Sequence, residues 1–327
     1  MDAAEADHPP RRRRSRLVTA VFLLLVLAVA GWSAPVLLGF DTANRGTIAL
    51  VATLQYAVPA GAALTVLGLA LRRWLSTLLV GLLTAVLAVL VLPRAIPDSP
   101  TPAQGSPLRV LSVNLFFGRA DAAQVVRLVR EGEVDVLSLQ ELTPEAVTAL
   151  DRAGLERLLP HRVLRSGPGA EGTGIASRLP LRELALARPS ALAQPSALID
   201  LPGRRDVEFV AVHPLYPMGP GTAEVWAREL DELPRPNGEG GPPRVLAGDF
   251  NATLDHSPLR ALLGTGYEDA AEVTGGGLVP TWGTGWFPRV TIDHVLTSGG
   301  LVAQAYSVHD VPGSDHRAIL AHLVVPD

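Results

Sequence analysis

The sequence contains no cysteine and no lysine among its 327 residues. The absence of cysteine excludes both a disulfide framework and a thiolate metal site. It fits an extracytoplasmic location without requiring one. Because every basic residue is an arginine, we attribute the missing lysine to genomic base composition rather than to mechanism.

Positive charge is scarce in the C-terminal two thirds of the chain. Nine of the 28 basic residues and five of the 32 acidic residues lie within the first 100 positions, so the remainder is net acidic by about eight charges. Proteins that hold duplex DNA through many phosphate contacts usually carry a basic surface. The charge balance therefore disfavours extensive duplex binding, although it leaves room for a local basic patch.

Charged residues are also absent from three long apolar runs, at residues 17–40, 48–71 and 74–92. Each run has about the 20 residues that a helix needs to cross a bilayer core, so we predict three transmembrane helices. An alternative is that the first run is a cleavable signal, because "AVA" at residues 28–30 resembles a cleavage site. The near absence of polar residues from the runs argues against a transporter.

Arginine clusters predict the orientation of these spans. "RRRRSR" ends a basic tail over residues 1–16, and Arg72 with Arg73 joins the second and third runs. The positive-inside rule places both clusters in the cytoplasm. Arg45 and Arg94 lie on the opposite side but are outnumbered. We therefore predict a multi-pass protein of the cell membrane with an extracytoplasmic C-terminal domain, and cleavage of the first run would leave this orientation unchanged.

The chain beyond the apolar runs divides into a linker and a domain. Residues 93–107, "PRAIPDSPTPAQGSP", are rich in proline and polar residues and predict an extended, semi-rigid linker. Residues 108–327 are numerous enough for a full hydrophobic core. Strand-like runs such as "LRVLSVNLF" and "VDVLSLQEL" alternate with a few helical segments. This pattern predicts an α+β or α/β sandwich of two sheets with helices outside.

Polar residues follow the predicted strands at six places. Taken singly, such residues are most often turn formers, caps or structural histidines, and we interpret Asp255, Ser257 and His256 in this way. Six polar strand ends together favour a site, because loops at the ends of a rigid sheet carry functional groups. The residues are Asn114, Gln140 with Glu141, His213, Asp249 with Asn251, Asp293, and Ser314 with Asp315 and His316.

The order of several motifs identifies a family. The segments "VNLFFG", "LSLQEL", "GTGIASRLPL", "VHPL", "GDFNAT", "TIDHVL" and "GSDHRAIL" resemble the endonuclease/exonuclease/phosphatase superfamily across residues 108–327. The resemblance implies a four-layered α/β sandwich, with two β-sheets flanked by helices. It also implies a phosphoester hydrolase that depends on Mg²⁺ or Mn²⁺. With the membrane segment included, the chain resembles a membrane-anchored bacterial member.

The resemblance implies a role for each strand-end residue. Asp249 would orient or deprotonate the attacking water, and Asn251 would donate its amide hydrogens to a phosphate oxygen. In an extended chain this i, i+2 spacing points both side chains to one side. His316 would contact the scissile phosphate, while Asp293 would hold its imidazole in one orientation. His213 matches a position where members of the family use either a second histidine or a tyrosine.

The metal ligands are implied in the same way. Glu141 matches the principal ligand, since a hard carboxylate oxygen suits Mg²⁺ or Mn²⁺. Asn114 would support that ion, and Asp315 would touch a second one. Two positions depart from the family pattern: Phe116 replaces an acidic residue of abasic-site enzymes, and Thr173 replaces an asparagine of many relatives.

The substrate stays open between two classes. Family frequency favours a nucleic acid and hence a nuclease, whereas the acidic charge and the membrane anchor favour a phospholipid headgroup or a small phosphodiester. "TWGTGWFPR" at residues 281–289 contains Trp282, Trp286 and Phe287, which either cap the core or contact the substrate by stacking on a base or inserting into lipid. The glycines and Pro288 around Trp286 and Phe287 favour an exposed loop, and hence substrate contact, for these two. A non-catalytic binding module on the same fold is a further alternative. It would be expected to have lost Glu141, Asp249 or His316, and all three are present.

Overall fold

The computed structural model of the protein describes residues 11–98, 105–201, 205–285 and 288–326. Four helices come first: α1 (Arg11–Leu38), α2 (Arg45–Ala52), α3 (Ala57–Ala70) and α4 (Trp74–Val91). Single 3-10 turns, Leu54–Tyr56 and Leu92–Ala95, precede α3 and follow α4.

Two of the three predicted spans are single helices. Arg16–Leu38 and Trp74–Ala95 are each long and apolar enough to cross a membrane. The second run instead forms α2 and the segment Leu54–Ala70, which meet at a bend of 53° and pass the same test only as a pair. The bend begins where α2 ends. α2 has only eight residues and starts at an Asn44 capping box, so the second run is a helix broken at Thr53 and not one continuous helix.

Twelve strands and six further helices form the described part of the C-terminal domain. In chain order these are β1 (Gly105–Asn114), β2 (Val136–Gln140), β3 (His161–Arg165), β4 (Thr173–Ser177), β5 (Leu181–Leu184), β6 (Ser196–Ile199), β7 (Val207–Val212), β8 (Arg244–Asp249), β9 (Glu268–Asp269), β10 (Asp293–Thr297), β11 (Val302–Asp310) and β12 (Arg317–Pro326). One six-stranded sheet has the order β11-β12-β1-β2-β4-β3, and the other has the order β5-β6-β7-β8-β10-β9.

Helices cover the outer face of each sheet. Over the first sheet lie α5 (Ala122–Glu131), α6 (Pro144–Ala153) and α7 (Leu155–Leu158); α8 (Thr222–Asp231) and α9 (Ser257–Leu263) lie over the second, and α10 (Ala270–Val273) packs beside β10. The core between the sheets is built from residues such as Val110, Phe209 and Ile319. This arrangement confirms the predicted four-layered sandwich.

The start of β1 differs from the predicted boundary. The strand begins at Gly105, inside the segment interpreted as linker, because Gly105–Pro107 pair with Val324–Pro326 of β12. At the other end of that segment the Arg94 side chain is buried against Asp255, with two N–O distances of 2.9 Å. Both ends of the predicted linker are therefore held by the domain.

Strand direction brings the polar strand ends together. β1 and β2 run parallel at the centre of one sheet, and β7 and β8 run parallel at the centre of the other. The carboxyl ends of parallel strands meet at one edge of a sheet, where ligand sites usually form. Asn114, Gln140 and Asp249 end three of these strands, and His213 directly follows the fourth.

Candidate active site

Asn114 connects the two sheets at this edge. Its Nδ2 donates to Asp249 Oδ2 at 3.0 Å and to Glu141 Oε1 at 3.3 Å. Its Oδ1 accepts a bond from the Phe116 backbone N–H at 2.9 Å. The side chain is fully buried, so its amide fixes the two carboxylates relative to each other.

The loops that carry these groups have strained backbones. Phe116, Phe117, Glu141 and Asn251 all have φ between 47° and 55°, in the left-handed region that non-glycine residues rarely adopt. The turn at the two phenylalanines aims the Phe117 N–H at Glu141 Oε2, 2.6 Å away. Each such residue costs about 1–3 kcal/mol, and strain of this kind clusters at functional sites.

His316 lies between two carboxylates. Its Nδ1 is 3.0 Å from Asp293 Oδ2, and its Nε2 is 3.6 Å from Asp249 Oδ2. Register explains the position of the carboxylates, because Asp293 pairs directly with Asp249 across β10 and β8. The Ser314 hydroxyl donates a hydrogen bond to the Asn114 carbonyl and accepts one from the backbone N–H of His316 at 3.0 Å. The imidazole is thus held from both sides.

Burial and charge shift the pKa values of this group. Burial disfavours the charged imidazole, but the Asp293 and Asp249 carboxylates outweigh it and raise the pKa of His316 to about 9. Burial raises the pKa of Asp249 to about 7, with His316 opposing and Asp293 adding to the rise. At neutral pH the site therefore combines a charged imidazole with a carboxylate able to take up a proton.

Burial also raises the pKa of Glu141, which the hydrogen bonds from Phe117 and Asn114 partly offset. His213 is shifted the other way, because burial and the His316 charge lower its pKa to about 3. Its imidazole is neutral, and its buried Nδ1 has no hydrogen-bond partner among the described residues. A neutral imidazole has one N–H donor, so His213 can donate one hydrogen bond to a substrate oxygen.

The oxygen atoms around Glu141 fit a divalent cation. Asp315 Oδ2 accepts a bond from the Trp282 indole N–H at 3.1 Å, while its buried Oδ1 has no hydrogen-bond partner in the described part of the chain and lies 4.0 Å from His316 Nε2. Asp315 also raises the pKa of Glu141 by its charge, and both residues line the same cavity. Carboxylate and amide oxygens are the ligands that Mg²⁺ prefers. Glu141 and Asp315 therefore offer carboxylate oxygens for a hard ion, and Asn114 supports Glu141 through its Nδ2.

Asp249, Asp293 and His316 form a second group with suitable spacing, since one ligand atom from each lies within 4.8 Å of the others. Their atoms are already engaged. Asp249 Oδ1 accepts the Asn251 N–H at 2.8 Å, Asp249 Oδ2 accepts the Asn114 amide, and His316 Nδ1 faces Asp293. The pairing of His316 with both carboxylates suits acid–base chemistry, and the same three residues are also a candidate ion site.

The structure brings together eight of the ten predicted site residues. Six of them line one cavity: Glu141, His213, Asp249, Asn251, Asp315 and His316. Asn114 and Asp293 lie directly behind these residues. Trp286 and Phe287, predicted to contact substrate, lie outside the described residues. Thr173 lies opposite Gln140 on β4, where its buried hydroxyl has no partner among the residues that the structure describes.

Sequence reasoning missed two features of the site. One is the backbone N–H of Phe117, whose signal is the turn-forming Gly118 that follows it with φ of 74°. The other is α2, whose last turn and the residue after it line the cavity. Within an apolar run that predicts a span, no residue of α2 marks it as part of a site.

The protein is a two-sheet α/β sandwich. Its site, where the parallel strands of both sheets end, combines an acid–base pair with carboxylates that could hold a metal ion. The Endonuclease/Exonuclease/phosphatase family matches residues 111–316, nearly two thirds of the chain. The chain belongs to this family, whose members are generally phosphoester hydrolases that use divalent metals. A comparison with curated protein sequences finds no match.

Solved structures agree on the fold. A 3′ phosphatase NExo variant from Neisseria, bound to product DNA hairpin, is 19% identical over 65% of this chain and 98% of its own, with a TM-score of 0.52. A humanized D. rerio TDP2 is 16% identical over 67% and 99%, with a TM-score of 0.51. An endonuclease/exonuclease/phosphatase from Beutenbergia cavernae is 19% identical over 67% and 72%, with a TM-score of 0.50.

Proposed function

We propose that the protein is a membrane-anchored, extracytoplasmic phosphoester hydrolase that depends on a divalent cation. The observation that carries the proposal is the meeting of Asn114, Glu141, Asp249 and His316 at the base of one cavity. A binding module on the same fold would have no need of a charged imidazole held between two carboxylates.

Asp249 is placed to act on the attacking water. Its two oxygens accept bonds from Asn251 N and Asn114 Nδ2, which fix the orientation of the carboxylate. Because burial raises its pKa to about 7, it can accept the water's proton near neutral pH.

Asn251 and His316 are placed to stabilise the phosphoryl oxygens. Asn251 Nδ2 donates one hydrogen to the Pro214 carbonyl at 3.1 Å, so the other is available for a phosphate oxygen. His316 directs Nε2 into the cavity while Asp293 holds Nδ1. A charged imidazole in that orientation offsets the negative charge that develops during phosphoryl transfer.

Glu141 and Asp315 would hold the cation, and Asn114 would support that site. When bound, a divalent ion neutralises phosphate charge and favours formation of the nucleophile. The chain's own contribution is to keep the oxygens of Glu141 in place through the Phe117 N–H and the Asn114 amide.

We expect the Asn251→Ala variant to hydrolyse bis(p-nitrophenyl) phosphate about 10²–10³-fold more slowly than the wild-type full chain, as loss of one oxyanion donor does in other enzymes. Initial rates in detergent with excess Mg²⁺ give the comparison. Gln304→Ala removes an exposed amide on β11 and is the matched control. No metal-stimulated hydrolysis of any phosphoester by the wild-type chain would refute the proposed function.

Orientation has its own test. Alkaline phosphatase fused after Pro107 should be active, since the positive-inside rule places residues after the third span outside the cytoplasm. A cytoplasm-only fluorescent reporter at the same position should be dark. Fluorescence there, with an inactive phosphatase fusion, would reverse the orientation.

A further inference from the structure

The cavity above the catalytic residues is large and mostly apolar. Its volume is about 610 Å³, within the range of pockets that enclose small organic ligands. Away from the polar residues at the base, its walls include Phe116, Leu192, Leu215 and Met218. A phosphate alone would leave most of this surface in contact with water, so the cavity fits a phosphoester with an apolar substituent.

One wall of this cavity belongs to the membrane segment. Ile48, Ala49, Ala52 and Thr53 all line it. Residues four apart lie on the same face of a helix, so the pairs 48 with 52 and 49 with 53 place one face of α2 against the cavity. The catalytic sheet edge and the membrane segment thus share a single binding surface.

Specific contacts fix α2 on the catalytic domain. The Ile48 side chain is buried in the cluster that contains Trp226 and Phe250, and its carbonyl lies 3.1 Å from His256 Nε2. Asp41 Oδ2 accepts the Ser257 N–H at 2.5 Å. His256 ends the loop that follows β8 and its catalytic residues, and Ser257 begins α9, so the wall and the catalytic strand are held together.

A second set of contacts joins the residues after α2 and after α4 to the catalytic domain. The Tyr56 hydroxyl donates to the Arg289 carbonyl at 2.7 Å, and the buried Arg94 guanidinium makes two bonds to Asp255. Removal of one partner from a buried pair of this kind is strongly destabilising. These contacts hold the α2 end of the spans on the catalytic domain, beside the cavity that α2 lines.

Exposed apolar side chains mark the same side. Beyond the spans and the residues up to Ile96, the exposed large apolar side chains among the described residues are Phe117, Tyr216 and Val279, at 43%, 52% and 38%. Phe117 and Tyr216 line the cavity. On the membrane segment, Phe40 is 40% exposed. Tyrosine is enriched at the membrane interface, and phenylalanine is common on the apolar face of segments that lie in it.

Apart from the His316 imidazole at the base, the cavity has no positively charged lining residue among those described. Among the described residues none of those lining it is an arginine, and the nearby Arg119 guanidinium lies over the Phe116 and Phe117 rings at 5.1 and 5.7 Å. Proteins that bind nucleic acid strands place basic groups along the backbone. The described part of the cavity lacks such a track.

We infer that the substrate is a membrane lipid with a phosphoester headgroup, whose apolar tail lies against α2 while its phosphate reaches Asn251 and His316. The inference rests on the proposed hydrolase function. In this arrangement the lipid enters from the bilayer surface beside α2, and the membrane segment forms part of the binding site as well as the anchor.

The test compares tails on a common headgroup. The full chain is reconstituted in phosphatidylcholine vesicles with Mg²⁺, and release of water-soluble label is measured from headgroup-labelled phosphatidic acid, phosphatidylglycerol or sphingomyelin. For the best headgroup, the long-chain form should be turned over at least about tenfold faster than its short-chain counterpart, because a few buried methylenes suffice for that factor. Single-stranded DNA and bis(p-nitrophenyl) phosphate are assayed in parallel.

Variants in the wall test the role of α2. Ala52→Glu should lower the ratio of lipid to bis(p-nitrophenyl) phosphate hydrolysis by about tenfold or more, because it places a charge against the tail. Ala43→Glu adds the same charge at an exposed position outside the cavity and should leave the ratio unchanged. Tyr216→Ser, at an exposed residue of the cavity mouth, should lower the ratio in the same direction and serves if Ala52→Glu does not fold.

The outcomes separate the two levels of the proposal. If bis(p-nitrophenyl) phosphate or DNA is hydrolysed and none of the lipids is, the hydrolase function stands and the lipid inference is overturned. A ratio that is unaffected by folded Ala52→Glu and Tyr216→Ser overturns the role of the wall. If no phosphoester is hydrolysed, the proposed function itself fails.

Discussion

The His316→Ala variant is expected to lower kcat by about 10²–10⁴-fold, the usual contribution of a positioned acid–base group. The expectation follows from the placement of the ring, with Nδ1 3.0 Å from Asp293 and Nε2 directed into the cavity. Its charge is maintained by the Asp293 and Asp249 carboxylates, which raise the pKa of His316 to about 9 against the effect of burial. Alanine removes both the charge and the donor.

A double-mutant cycle tests whether Asp293 acts through His316. Asp293→Asn should also lower kcat, because an amide no longer supports the charged, correctly oriented imidazole. The double variant should be scarcely slower than His316→Ala alone, since an orienting group has nothing to orient without the ring. Fully additive losses would show that the two residues act independently.

The kinetic comparison needs folded protein and a matched histidine. His161→Ala removes an exposed imidazole from β3 and should leave kcat unchanged. Thermal unfolding should show that every variant is folded at the assay temperature, although loss of one partner from the buried His316–Asp293 pair is expected to lower the midpoint. Near-normal turnover by folded His316→Ala on the best substrate would remove His316 from the mechanism.

Periodicity and strand ends contain most of the information about the sandwich and the position of its site. Residues 110–113 of β1 and 136–139 of β2 are mostly apolar because both faces are buried there, and such runs are recognisable without any tertiary knowledge. Polar residues at the buried ends of such apolar strands are uncommon. Asn114 and Asp249 therefore stand out in the sequence, and parallel pairing explains why they meet.

The docking of the membrane segment cannot be predicted in this way. In the sequence Arg94 is a single charge, outnumbered by the arginine clusters that determine the predicted orientation. In the structure it forms a buried pair with Asp255, 161 residues away. His256 has the pattern of a structural histidine, but its partner, the Ile48 carbonyl, lies in an apolar run. Local patterns do not encode contacts between segments so far apart.

Backbone strain is equally hidden in the sequence. Phe116 and Phe117 have left-handed conformations that bulky residues avoid, so propensity predicts a different turn. The conformation persists because the Asn114 side chain and the Glu141 carboxylate accept the two N–H groups. A departure from local preference is expected where a site requires it.

The Glu141→Gln variant is expected to raise the Mg²⁺ concentration needed for half-maximal activity by more than about 10–100-fold, the range seen when only an outer partner of a metal ligand is removed. In the wild-type chain, excess chelator should reduce turnover to background, and Mg²⁺ or Mn²⁺ should restore it. The substitution replaces one carboxylate oxygen by an NH₂ group. That group would meet either the Phe117 N–H or the Asn114 Nδ2, both of which are donors.

Metal affinity can be measured apart from turnover, by calorimetric titration of the full chain in detergent with Mn²⁺. Burial raises the pKa of Glu141 in the absence of a cation, and a bound cation would favour the ionised form again, so binding should release protons at low pH. Glu145→Gln makes the same chemical change at an exposed position four residues away and should affect neither affinity nor turnover. Unaltered Mn²⁺ affinity in folded Glu141→Gln would assign the ion to other residues, with Asp249, Asp293 and His316 as the group to test next.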